Sequence, residues 1–198
     1  GSFVRAKVAG FTIGPEGPSH VRTEQGEIAV EDVVIAAGAF SKPLAAALGN
    51  KVPLDTERGY HIMLPQPEIE IRVPMLISSL GFGVTPMNDG LRLAGTVEFG
   101  GLKAPPDYNR AQILLDHAKR LFPGLGDAGA VPWMGHRPSM PDSLPVISRS
   151  NRFARVFYAF GHGHLGLSLG AVTGRVIADL VVDRVSDIDP TPYRADRF

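Results

Sequence analysis

The stretch Tyr158–Val182, YAFGHGHLGLSLGAVTGRVIADLVV, concentrates the groups best suited to meeting a charged ligand. Gly161, His162, Gly163, His164, Leu165 and Gly166 lead directly into a helical pattern. There Leu165, Leu169, Val172, Val176 and Leu180 recur at three- and four-residue steps and mark one apolar face. A glycine-rich turn feeding a helix aims unpaired N–H groups, and the positive end of the helix dipole, at whatever precedes it. That is chemistry for stabilising developing negative charge. A second stripe, Gly166, Gly170, Gly174 and Ala178, repeats every four residues. Interior glycine costs about 1 kcal/mol against alanine, so the stripe anticipates close approach by another backbone or a flat ligand. A buried C-terminal helix behind a tight turn accounts for the same letters. His162 and His164 alternate across an extended segment with no carboxylate beside them, and two ligands make a poor metal site. No metal is expected, and each histidine reads as a packing or hydrogen-bonding residue.

Several elements must position this stretch. Phe3–Ile13 and His20–Thr23 flank the turn cluster Gly14-Pro15-Glu16-Gly17-Pro18. Asp32–Ala37 reads as a strand buried on both faces, ending at Gly38; Ser41 is then the expected cap of a short helix through Leu48. A buried strand ending in glycine before a helix is where open α/β sheets place ligands. Arg58–Leu64, Met75–Ser79, Gly83–Met87 and Leu91–Glu98 read as antiparallel strands, with a hairpin at Asn88-Asp89-Gly90. Tyr108–Phe122 is an amphipathic helix expected to turn Ile113, Leu114, Ala118 and Leu121 inward. Val131–Pro138 and Pro145–Ser148 flank a turn at Pro141-Asp142-Ser143, and Arg155–Phe160 is a last strand. The expected fold class is α+β, a mostly antiparallel sheet inserted into an α/β unit. Residues 1–50 and 130–184 form the α/β unit, 51–129 the antiparallel domain, and 185–198 a surface tail.

Composition narrows the function classes. Twenty basic and twenty acidic residues cancel, so no global field invites nucleic acid or an anionic membrane. With no cysteine there is no disulfide, thiolate metal site, iron–sulfur cluster or cysteine nucleophile. This fits a reducing, cytoplasmic setting, with attachment to the inner membrane face left open. The window Leu165–Val182 carries Arg175 and Asp179 and reads as a buried helix, not a membrane span. Twenty-three glycines and 17 prolines anticipate many turns.

Four segments together carry a family resemblance: VVIAAGAFS (33–41), VPLDTERGYHIML (52–64), GHRPSMPDSLPVI (135–147) and GHGHLGLSLGAVTGRVIADL (161–180). In order and spacing they resemble the C-terminal half of the D-amino acid oxidase superfamily of flavoproteins, D-amino acid dehydrogenases and glycine oxidase-like enzymes above all. The resemblance implies FAD as cofactor. It implies that Arg137 forks onto a substrate carboxylate, a contact suited to guanidinium geometry. It sets Gly161, His162, Gly163, His164, Leu165 and Gly166 against the flavin ring and ribityl chain, and Ala37 and Gly38 beside the dinucleotide. Tyr60 and His61 are placed near the active site as substrate-binding candidates, while Glu98 and Met140 read as packing or surface residues. No protein side chain is assigned as a catalytic acid or base. Ser143 departs from the Pro-Asp-Gly usual in the family, which questions the turn type. Gly161-x-Gly163-x-x-Gly166 matches the dinucleotide fingerprint literally but resembles the flavin-proximal motif. No G-x-G-x-x-G opens the chain, so it is expected to be a piece beginning midway through a parent enzyme.

The implied parent activity is oxidation of an amino acid or other amine: hydride leaves the substrate α-carbon, and the imine hydrolyses to a keto acid and ammonia. Oxygen and a quinone both remain open as electron acceptor. The competing reading is a non-catalytic, cofactor-free globular fragment that self-associates into homo-oligomers through exposed surface. A hydrolase has no G-x-S-x-G element to support it.

Overall fold

In the computed structural model, which describes residues 1–198, the chain forms two compact units: Gly1–Asp55 with Arg137–Phe198, and Thr56–His136. The elements in chain order are β1 (Val8–Gly14), β2 (Gly17–Thr23), β3 (Gly26–Ala29), β4 (Val33–Ile35) and α1 (Ser41–Ala47). There follow β5 (Asp55–Leu64), β6 (Met75–Ile77), β7 (Phe82–Met87), β8 (Gly90–Glu98), α2 (Asn109–Leu121), β9 (Val131–Ser139), β10 (Val146–Arg149), β11 (Val156–Phe160) and α3 (Gly166–Val181). Antiparallel pairing dominates, and the fold class is α+β.

In the discontinuous unit, β1, β2 and β3 form a meander, and β11 lies between an antiparallel β10 and a parallel β4. The strand buried on both faces is β11, not the expected Asp32–Ala37 run. Val156, Tyr158 and Phe160 enter the main core with Phe11, Ile35, Leu48 and Leu54, while Phe157 joins Ile147, Val176 and Ile177 under α3. In β4, Val33 and Ile35 are buried but Val34 is 43% exposed. It sits opposite Phe157, beyond the residues of α3 that cover that ring. A buried polar network ties the unit together: Asn50 Oδ1 accepts the Ser150 hydroxyl at 2.7 Å and the Tyr158 hydroxyl at 2.8 Å. Ser41 is the first residue of α1 and its hydroxyl caps nothing; Phe40 occupies the cap position. The last stretch is only partly at the surface. Ala195 is buried, its N–H donates to Ser148 Oγ at 3.2 Å, and Ile188 and Tyr193 pack on the α3 cluster.

The contiguous unit centres on a five-stranded sheet in the order β6-β7-β8-β5-β9. Along β5, Arg58, Tyr60, Ile62 and Leu64 are buried while Glu57, His61 and Met63 are half-buried, the period-two pattern of one covered and one open face. The covered face receives Ala111, Leu114, Leu115 and Ala118 of α2. Ile113 and Leu121, expected inward, are exposed, so the helix is rotated toward Leu115. The hairpin at Asn88-Asp89 is present, with Met87 opposite Gly90. Register slips between Arg58 and Tyr60, and the additional residue falls on β8 at Thr96, whose φ is 57°. No helix is long and apolar enough to cross a membrane.

Candidate functional site

The parallel pairing of β4 with β11 sets Ile35 beside Tyr158, so both strands release their chains at the same sheet edge. Ala37 and Gly38 follow one strand, and Gly161–Gly166 follow the other. This edge, at the carboxyl ends of parallel strands, is where α/β sheets receive ligands. Gly38 and Gly163 both have φ of 54°, and a Cβ built on either would meet nothing within 4 Å. Their requirement for glycine is therefore backbone conformation together with open space. Gly161 differs: its φ is 85°, and a Cβ would lie 2.8 Å from Met140 Cγ. Met140 is thus a core residue that sets the approach of the turn. Gly163 N–H donates to the Pro138 carbonyl at 2.7 Å, anchoring the turn to β9.

At the start of α3, Leu165 is the cap residue and no side chain caps the helix. The first-turn N–H groups consequently face outward with the positive end of the dipole. His162 Nε2 and Thr173 Oγ1 share a hydrogen bond at 2.9 Å, and burial holds the imidazole below its ordinary pKa of 6.5. His164 and Leu165 are exposed, and Leu167 is 98% exposed. The expected apolar face of α3 is covered toward its C-terminal end, at Val176 and Ile177, while Leu169 and Val172 are half-buried. The glycine stripe is open: nothing stands within 4 Å of a Cβ on Gly170 or Gly174, and Gly166 would meet only His162 Cβ at 3.6 Å. Uncapped N–H groups, glycine turns with φ of 54° and this open stripe fit a flat, anion-bearing ligand such as a flavin dinucleotide.

Arg137 lies on β9, half-buried, in the same unit as the glycine turns. Tyr60 and His61 lie on β5 in the contiguous unit and face opposite ways. The Tyr60 hydroxyl donates to Glu98 Oε2 at 2.5 Å and accepts the Asp107 N–H at 3.0 Å. Burial, reinforced by the Glu98 carboxylate, pushes the phenol above 10.0; that hydrogen bond, with help from Arg110 and Arg58, holds Glu98 below 4.5. Glu98 is therefore part of a built network and not a surface residue. His61 is on the open face, where its ring stacks on Trp133 at 4.8 Å between centroids and 21° between planes. Its Nδ1 is buried without a hydrogen-bond partner, and desolvation, then Arg92, lowers its pKa below 6.5. Trp133 is a residue the sequence reading passed over. Its signal was available, since it is the only tryptophan and stands four residues before Arg137.

The chain matches the family of FAD dependent oxidoreductases over residues 2–180. It is 45% identical over 200 residues to a D-amino-acid oxidase of Bradyrhizobium diazoefficiens, covering 99% of this chain and 48% of that relative. To a D-amino acid dehydrogenase of Paramagnetospirillum magneticum it is 37% identical, covering 89% of this chain and 42% of the relative. An uncharacterized oxidoreductase of Halorhodospira halophila is 32% identical, with 93% of this chain and 86% of the relative covered. Among solved structures, glycine oxidase from Geobacillus kaustophilus superposes with a TM-score of 0.80 at 25% identity, over 99% of this chain and 53% of that one. The chain belongs to the family of FAD dependent oxidoreductases. It spans about half the length of the D-amino acid oxidase and dehydrogenase relatives.

Proposed function

We propose that this chain provides the ring-side part of an FAD site and the substrate-carboxylate anchor of an enzyme that oxidises an amino acid. The observation that carries the reading is the convergence of the two glycine turns and the uncapped start of α3 on one sheet edge. Ala37, Gly38 and Gly161–Gly166 would hold the cofactor. FAD, when bound there, would supply the electron-accepting chemistry for oxidation of the amino acid. The uncapped first-turn N–H groups of α3 would stabilise negative charge placed next to them, as preorganised dipoles do without reorganisation. Arg137 orients the substrate through its carboxylate, and correct orientation of a bound amine accounts for much of the rate in such a reaction. His162, kept neutral by burial and tied to Thr173, fixes the turn and adds no cation beneath it. The similarity to D-amino acid oxidase and dehydrogenase relatives favours a D-amino acid as substrate.

The test is Arg137→Ala in a full-length protein containing this chain. Loss of a bidentate, charge-assisted contact should lower kcat/KM for an amino acid by about a hundredfold or more. Flavin content should stay at the parent level. Unchanged turnover, or loss of flavin in step with activity, would remove Arg137 from the role assigned to it.

A further inference from the structure

Residues 138–146 form a floor under the glycine turn that precedes α3, all within the discontinuous unit. The Pro138 carbonyl accepts the Gly163 N–H at 2.7 Å. A Cβ on Gly161 would fall 2.8 Å from Met140 Cγ and 3.6 Å from the Val146 nitrogen. Between Met140 and Val146 this floor runs through Pro141, Asp142, Ser143 and Leu144, all exposed. Its own hydrogen bonds are local: Ser143 N–H donates to the Met140 carbonyl and Leu144 N–H to Asp142 Oδ1. Arg197, more than 50 positions away, supplies a distant hold. Its Nε donates to Asp142 Oδ2 at 2.7 Å, and Nη2 to Asp142 Oδ1 at 3.1 Å and to the Leu144 carbonyl at 2.7 Å. Nη1 donates to the Arg194 carbonyl at 2.8 Å, and the Ala195 N–H is pinned to Ser148 Oγ on β10. The Arg197 side chain is only 14% exposed and engages both carboxylate oxygens. That sets the pair apart from the solvated, single-contact surface pairs that contribute little.

We propose that Arg197 is a positioning residue for the cofactor-side turn: by clamping Asp142 and Leu144 it fixes the floor on which Gly161 and Gly163 rest. This rests on the reading of that turn as part of an FAD site. Met140 carries the hold from the clamp to the turn, since it is buried directly against Gly161 and leaves no room there for a methyl group. Close-packed interiors pass a displacement on instead of absorbing it. The hydrogen bond from Gly163 to Pro138 is a second point at which a shifted floor would move the turn. A turn set in advance binds with a smaller ordering cost than one that must settle on its ligand. The Arg197 guanidinium also holds the Asp142 carboxyl below its ordinary range, so the pair stays ionised at neutral pH.

The experiment titrates FAD into the apoprotein of a full-length protein containing this chain. Arg197→Ala and Asp142→Asn should each raise the Kd for FAD about fivefold or more, and the double variant should be no worse than either, as for residues acting through one contact. Arg197→Lys keeps the charge but loses the fork, and should recover part of the loss. Asp142→Asn retains an acceptor for the Leu144 N–H, so it carries the test if Arg197→Ala fails to fold. A lower melting temperature with FAD affinity unchanged would make the clamp a strap for residues 194–198 alone and overturn the proposal, as would additive losses in the double variant. Failure of the unsubstituted protein to take up FAD would be failure of the cofactor reading. The clamp is then judged by amide hydrogen exchange in the 198-residue chain. There Gly163 N–H should exchange about tenfold faster in Arg197→Ala, with the amides of residues 56–136 unaltered. Equal protection at Gly163 overturns the clamp.

Discussion

Arg58 shows how much a single residue can organise without announcing itself in sequence. Its side chain is completely buried. Nε donates to the Gly101 carbonyl at 2.7 Å, Nη1 to Pro105 at 3.1 Å, and Nη2 to Gly100 at 2.9 Å and Ala104 at 2.7 Å. With Glu98 and the Tyr60 hydroxyl, it fixes the segment between β8 and α2 against β5. Only a planar fork of five donors can serve so many carbonyls at once. Arg58→Met should therefore destabilise the protein by about 3 kcal/mol or more, because four carbonyls and the Glu98 carboxylate lose a buried, charge-assisted donor. Arg58→Lys should recover only part of this. Equal denaturation midpoints for all three proteins would dismiss the clamp. The run Arg58-Gly59-Tyr60 was visible as a family motif, but the clamp was not. Its acceptors lie 40 or more positions away, and strand alternation says only that Arg58 shares a face with Tyr60. The stacking of His61 on Trp133 was not legible either, since nothing local links β5 to β9.

Among the elements, turns were read best and faces least well. The Asn88-Asp89 hairpin and the Pro141-Asp142-Ser143 turn are both present. Ser143 keeps the left-handed conformation that glycine would adopt freely, with φ of 61°, its N–H donating to the Met140 carbonyl and Asp142 Oδ1 accepting the Leu144 N–H. The departure from glycine therefore leaves the turn type intact. Ser143→Gly should raise stability by about 0.5–1 kcal/mol, the relief of positive φ being partly offset by a freer unfolded chain. A fall in melting temperature would contradict that account. The reverse applies to Gly161→Ala, which adds a Cβ against Met140 at positive φ and should cost about 1–3 kcal/mol. Wild-type stability would show that Met140 yields without cost. Helix faces were misjudged where periodicity offers two registers: α2 buries Leu115 where Leu121 was expected, and α3 covers Ile177 while Leu165 stays exposed. For Val34, composition identified a strand correctly but not that this side of it would stay open.

Taken as a whole, the molecule couples three partly buried histidines to pH. Burial is the main cause that keeps His61, His136 and His162 below 6.5. Above that value they are neutral whether folded or not. As pH falls through it, the unfolded chain takes up protons that the folded chain refuses, so stability drops. Melting temperature should therefore decline between about pH 6.5 and 5, before the carboxylates lowered by Arg197 and Lys119 begin to protonate. His162→Gln should flatten part of that decline, and a parallel decline would clear His162 of any share. The packing of the tail was not legible, since Ala195 and Tyr193 look like ordinary polar-segment residues. The order of segments also has a temporal consequence. Residues 56–136 are contiguous and hold their own core, whereas β4 has no partner until β11, some 120 positions later, has been made. During synthesis the inserted sheet can close while β4 waits. The edge that receives the two glycine turns is therefore among the last parts of this chain to exist.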